Sequence, residues 1–211
     1  MARRTLGILA AAALALSAGR AGATVLAQDG FEAYSLAKLY GQTGGVGWAT
    51  GTAWGGANTA AVYVTGASLS YSGGDLLING GTKAVQVDGV TADNLVNRMF
   101  AGSPTGTVWM SFLYRPVSFD ANDFVQFSLV DTGHVSSYSV PSIGDLSGTT
   151  NVFGTRVTSG AVNAPGAYAA DTTYFLVAEV TKTGSATNYY DRVNLYVNPT
   201  SAASPGTVSA T

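Results

Sequence analysis

Acid–base and metal chemistry have little to work with in this 211-residue chain, which has one histidine, no cysteine, and only Glu32 and Glu179 as glutamates. A retaining glycoside hydrolase needs two carboxylates close together, which in a strand means acidic residues at alternate positions on one face. Glu179 shares its face with Phe175 and Val177 and has no acidic partner two residues away, so a hydrolase is not expected. His134, in Asp131-Thr132-Gly133-His134, lacks a G-x-S-x-G nucleophile elbow elsewhere and reads as a polar loop residue. The glycine-rich stretch 44–51 matches neither G-x-G-x-x-G nor a P-loop, so phosphate binding has no support. The absence of cysteine removes thiolate catalysis and Cys-ligated zinc.

Two kinds of binding chemistry remain. Asp120, Asn122 and Asp123 place three hard oxygen donors in one short loop, which suits calcium, although such Asx-rich loops mostly serve as turns. Sugar binding needs an aromatic platform flanked by hydrogen-bonding groups. Trp48 and Trp54 in a glycine-rich loop offer one such platform. Arg115, Gln126, Arg192, Asn194 and Tyr196, together with Trp109, could line the polar face of a sheet. Trp109 itself reads as core, because tryptophan is usually well buried. Arg192 also fits a solvated or ion-paired side chain.

These residues must be positioned by strands. Period-two alternation marks residues 107–115, where Val108, Met110, Phe112 and Tyr114 oppose Trp109, Ser111, Leu113 and Arg115. It recurs in 124–130, in 173–181, and most cleanly in 191–198, where Val193, Leu195 and Val197 oppose Arg192, Asn194, Tyr196 and Asn198. Shorter strands are predicted at 61–65, 68–71, 76–78, 84–87 and 96–100. The stretch 91–101 also fits a helix capped by Thr91, but its strand-rich surroundings favour a strand. Ser72-Gly73-Gly74-Asp75, Asn79-Gly80-Gly81 and Asp88-Gly89 supply tight turns. Many short strands, Gly-rich turns and few Glu or Lys residues predict an all-β, two-sheet antiparallel sandwich.

The address is written in the first 27 residues. Arg3 and Arg4 precede an apolar run, 6–18, too short to span a bilayer, and Ala21-Gly22-Ala23 follows as an A-x-A cleavage pattern. Residues 1–27 therefore read as a signal peptide and 28–211 as one β-sandwich domain, exported to the cell exterior. Removing Arg3, Arg4 and Arg20 leaves seven basic against twelve acidic residues, a formal charge of −5. An acidic domain without a basic run is not expected to bind nucleic acid or an anionic membrane. Export without cysteines fits a bacterial protein better than a eukaryotic one.

Three ordered stretches carry a resemblance: Asp29-Gly30-Phe31-Glu32-Ala33-Tyr34 followed by Gly41-Gln42-Thr43-Gly44-Gly45-Val46-Gly47-Trp48; Leu69-Ser70-Tyr71-Ser72 leading to Gly73-Gly74; and the run from Tyr190-Asp191-Arg192 through Val197-Asn198-Pro199. In this order the chain resembles the concanavalin A-like (LamG-type) jelly-roll domains of exported bacterial proteins of the PEP-CTERM kind. The resemblance implies a two-sheet jelly roll and, more loosely, sugar binding, often with calcium. Such domains usually close with a further apolar strand containing an acidic residue and carry a sorting tail. Neither is recognised here, so a shortened C-terminus and no stable membrane anchor are the expectation. The functional expectation is a non-catalytic exported module binding glycan or an extracellular matrix polymer. The alternative is a structural or adhesion module without a small ligand.

Overall fold

A computed structural model describes residues 6–10, 25–57, 61–88, 95–102, 104, 106–118, 125–129, 141–146, 151–157, 161–183, 190–201 and 204–211. Its strands, in chain order, are β1 (Leu6–Ala10), β2 (Gly55–Ala57), β3 (Val62–Thr65), β4 (Ser70–Gly73), β5 (Leu76–Asn79), β6 (Ala84–Asp88) and β7 (Leu95–Asn97). There follow β8 (Val108–Pro116), β9 (Val125–Ser128), β10 (Ser142–Asp145), β11 (Gly154–Arg156), β12 (Val162–Asn163), β13 (Tyr174–Thr181) and β14 (Arg192–Val197). The chain is an all-β sandwich of antiparallel sheets. One sheet has the order β14-β13-β8-β1-β6-β3, a second β12-β11-β10-β9, and two-stranded pairs β2-β7 and β4-β5 complete the fold.

The alternation read from the sequence becomes the two faces of the large sheet. Val108, Phe112, Tyr114, Leu176, Ala178, Val180, Val193 and Leu195 are buried against Leu129, Ile143, Phe153 and Tyr168 from the smaller sheet and the segment that follows it. Farther along that face, Val62, Val64 and Val85 pack on Phe31, Tyr34 and Leu39. Aromatic edges fix the geometry: Phe112 meets Phe127 at 4.2 Å between ring centres, and Phe153 stacks on Tyr168 at 4.8 Å. Such pairs add about 0.5–1.5 kcal/mol each beyond area burial. Tyr168 also donates a 2.6 Å hydrogen bond to Oδ2 of the buried Asp145 carboxylate, giving that oxygen a partner where an unpaired one would cost several kcal/mol.

The opposite face of the large sheet is covered over only part of its length. The β4–β5 hairpin drops Leu76 and Ile78, with the preceding Leu69, onto Leu113, Phe175, Val177 and Tyr196. The hairpin closes through Gly74 and Asp75, since Gly73 pairs with Leu76. Gly74 has φ +58°, and a Cβ there would run into the Thr200 carbonyl. Tight two-residue hairpin loops need positive φ at that first position, which is why the Gly-Gly-Asp signal was readable.

Predicted and observed strands agree for β3–β6, β8, β9, β13 and β14, with ends shifted by at most two residues. Leu95–Asn97 is a strand, as favoured over the helix, though it is shorter than the predicted 96–100. β2, β10, β11 and β12 have no counterpart among the predicted strands. They are two to four residues long and, in Gly55-Gly56-Ala57, Ser142-Ile143-Gly144-Asp145 and Gly154-Thr155-Arg156, contain glycine, so no period-two pattern is long enough to detect. β1 was equally unanticipated, because Leu6–Ala10 lies inside the segment read as a leader.

Candidate functional site

Where the hairpin stops, no other described element covers the outer face of β8, β13 and β14. One cross-strand row runs Trp109–Glu179–Asn194, and the next holds Ser111–Val177–Tyr196. Trp109 is 44 % exposed, so the expectation that it belongs to the core is corrected: it stands on the outer face beyond the reach of Leu69, Leu76 and Ile78. Its ring stacks on Tyr196 across β13, with centres 6.0 Å apart and planes 25° from parallel. In the neighbouring row Val177 is only 1 % exposed. The indole is thus a shelf held at a fixed angle by Tyr196.

The polar groups beside the shelf are oriented by one another. Glu179 Oε2 accepts a 3.0 Å hydrogen bond from Asn194 Nδ2 and a longer one, 3.5 Å, from the Tyr196 hydroxyl. Thr211 Oγ1 donates to Asn194 Oδ1 at 3.2 Å. Burial, and then the Glu179 carboxylate, pushes the Tyr196 phenol up, so it stays a neutral donor. Arg192 is exposed opposite Thr181 at the end of the same face. A carboxylate, an amide, a guanidinium and a stacked indole therefore share one shallow surface. It offers hydrogen-bond donors and acceptors beside an aromatic face.

The remaining residues singled out from the sequence fall elsewhere. Arg115 is on the same outer face but toward the other end of β8, level with Gln86 of β6. Gln126 does not join that face at all. It belongs to β9 in the smaller sheet, where its amide donates to Ser128 Oγ at 2.6 Å and Ser142 Oγ at 2.8 Å. Period-two reading gives a residue's face within its own strand but not which sheet the strand enters. Tyr196 is mostly buried and contributes its ring as a support. Asp120, Asn122, Asp123 and His134 lie outside the described residues. Among the described residues no group of three His, Asp or Glu side chains is placed to hold a metal ion.

Trp48 and Trp54 form a second, half-buried aromatic group. Their rings are 5.5 Å apart; Trp48 stacks on Phe100 at 11° and also carries the Arg98 guanidinium 5.2 Å from its centre. Arg98 is the hub of this region. It forms an ion pair with Asp29 at 3.4 Å, both side chains being at most 5 % exposed. It also donates to the Tyr34 hydroxyl at 2.9 Å, to Gly44 O at 2.7 Å and to Thr52 O at 3.2 Å. Asp29 is held in turn by the Phe31 N–H and the Tyr34 hydroxyl, and Trp54 Nε1 donates to that hydroxyl at 3.0 Å.

Gly47, at φ +80°, lets this loop lie against the Leu26 carbonyl, where a Cβ would collide. A shallow cavity of about 350 Å³ opens between Arg98, Trp48 and the loop 43–52. Glu32 accepts from the Thr82 N–H and hydroxyl and from the Lys83 N–H, and these bonds lower its pKa. Nothing in the sequence around Arg98 marks it as the anchor of Asp29. The two are 69 residues apart and no local pattern links them.

No family model matches this chain, and no curated protein or solved structure matches it either. Among the described residues, no helix is long and apolar enough to cross a membrane.

Proposed function

We propose that this protein is a non-catalytic, exported β-sandwich module that binds a glycan or a related extracellular polymer on the outer face of β8, β13 and β14. The observation that carries the proposal is the half-exposed Trp109 stacked on Tyr196 beside the hydrogen-bonded Glu179–Asn194 pair. A sugar ring laid on an indole buries its C–H face while its hydroxyls reach neighbouring polar groups. Glu179, Asn194 and Arg192 supply both acceptors and donors within that reach. The leader grammar of residues 1–27 supports an extracellular setting for such a ligand. The resemblance to concanavalin A-like jelly rolls points the same way, with calcium at Asp120, Asn122 and Asp123 as its optional companion.

Glu179 is engaged by Asn194 and serves as a ligand-orienting acceptor with no catalytic role. The alternative, a structural or adhesion module, fits a featureless polar face better than one bearing an oriented indole. A glycan array probed with the full chain, with and without calcium, tests the proposal. At least one polysaccharide class should bind, and Trp109→Ala should lower that affinity by about tenfold or more, the loss of a stacking contact worth roughly 1–2 kcal/mol, while leaving the circular dichroism spectrum unchanged. Absence of binding to any glycan in both conditions refutes the reading.

A further inference from the structure

β1 sits in the middle of the large sheet, antiparallel to both β6 and β8. Its two neighbours therefore run parallel to each other and are bridged only through it. Strands in a sheet lie about 4.8 Å apart, so withdrawing β1 leaves a slot roughly 10 Å wide with a hydrogen-bonding edge on either side. Yet β1 belongs to the segment that the export reading, on which this inference rests, removes. Cleavage before Gln28 would take out a central strand.

The chemistry of the slot differs from that of the strand now in it. Leu9 pairs with Tyr114 and Val85, which face the buried core. Ile8 pairs with Arg115 on one side and Gln86 on the other. The Arg115 Nε is buried without a hydrogen-bond partner, and its guanidinium makes no ion pair with any described residue. Gln86 is already engaged, its amide donating to Asp88 Oδ1 at 3.0 Å and to the Tyr63 hydroxyl at 3.4 Å. A half-buried arginine whose Nε has no acceptor among the described residues, next to an isoleucine position, is an unmet electrostatic demand.

We propose that the β6–β8 slot is a strand-acceptor site, and that the leader strand is its placeholder. Its occupant after export is an extended segment of a partner polypeptide, antiparallel to both edges. That segment is apolar where it faces the core and carries a carboxylate at the position opposite Arg115. Backbone pairing on two edges supplies affinity, and the carboxylate–guanidinium pair supplies register and selectivity.

The test uses the full chain with a site-specific protease sequence replacing residues 21–24, cut after folding, then unfolded and refolded with excess labelled peptide. Two peptides span residues 5–12, one unchanged and one carrying Ile8→Glu. The nicked chain should take up the Ile8→Glu peptide about tenfold more tightly than the unchanged one, Arg115→Met should erase that preference, and the uncut chain should take up neither.

In the uncut chain, Ile8→Glu should raise the thermal midpoint, and only when Arg115 is present. This second measurement decides the matter where the nicked chain does not refold. Equal uptake of both peptides, equal uptake by the uncut chain, no uptake by a refolded nicked chain, or an Ile8→Glu midpoint that does not rise overturns the proposal. The export reading is judged separately, by whether a leader peptidase cuts the precursor after Ala23 or Ala27.

Discussion

Arg98 shows how one side chain can organise a loop that has no regular structure. Its guanidinium ties Asp29, Tyr34, Gly44 and Thr52 together and rests on Trp48. Breaking a buried pair by removing one partner strands the other charge, at a cost of about 3–5 kcal/mol. Arg98→Met should therefore destabilise by that order in urea denaturation, and adding Asp29→Asn should recover part of the loss. A loss no larger for Arg98→Met than for an exposed-site control would show that the pair does not hold the loop.

Tyr34 offers a pH test of the same cluster. Burial, reinforced by its hydrogen bond to Asp29, pushes its phenol up to about 12 from 10. A raised pKa means the stabilisation is complete below pH about 10 and is lost as pH climbs through about 12. Tyrosinate absorbance should rise in at least two steps, and Tyr34→Phe should remove the late, unfolding-coupled one. Of this cluster, the sequence showed the aromatic residues and the Asp29–Tyr34 stretch, but not the arginine between them. Ion pairing across 69 residues is a property of chain crossing and has no local period.

At the scale of elements, strands were readable wherever one face had to be apolar for several residues. In β8 and β13, alternating side chains either enter the core or leave it, so burial enforces the pattern. Short β10–β12 hold only a residue or two per face, and their pairing is fixed by neighbours. The β4–β5 hairpin matters because its length determines how much of the outer face stays open. Gly74→Ala should cost more than the roughly 1 kcal/mol of a simple glycine replacement, since φ +58° and the Thr200 carbonyl both oppose a Cβ. A thermal midpoint unchanged by that substitution would argue against the turn geometry. The same variant should weaken cover over Leu113 and Phe175 without touching Trp109.

For the whole molecule, stability should be graded from the centre of the large sheet outward. β13 is paired on both edges and mostly buried, whereas β12 is a two-residue exposed edge. Native-state hydrogen exchange should protect Leu176–Val180 amides most and Val162–Asn163 least, a few kcal/mol apart. Uniform protection across both would contradict the layered packing.

The sequence by itself determined the strand-rich class, the inward and outward faces of the long strands and the tight hairpin turn, because each follows from local φ preference or a period of two. Tertiary structure alone decided which strands share a sheet, why Trp109 is exposed while Trp48 is half-buried, that Arg98 meets Asp29, and that Leu6–Ala10 pairs between β6 and β8. Those outcomes depend on which distant surfaces compete to cover the same apolar face, and no local spacing records that competition.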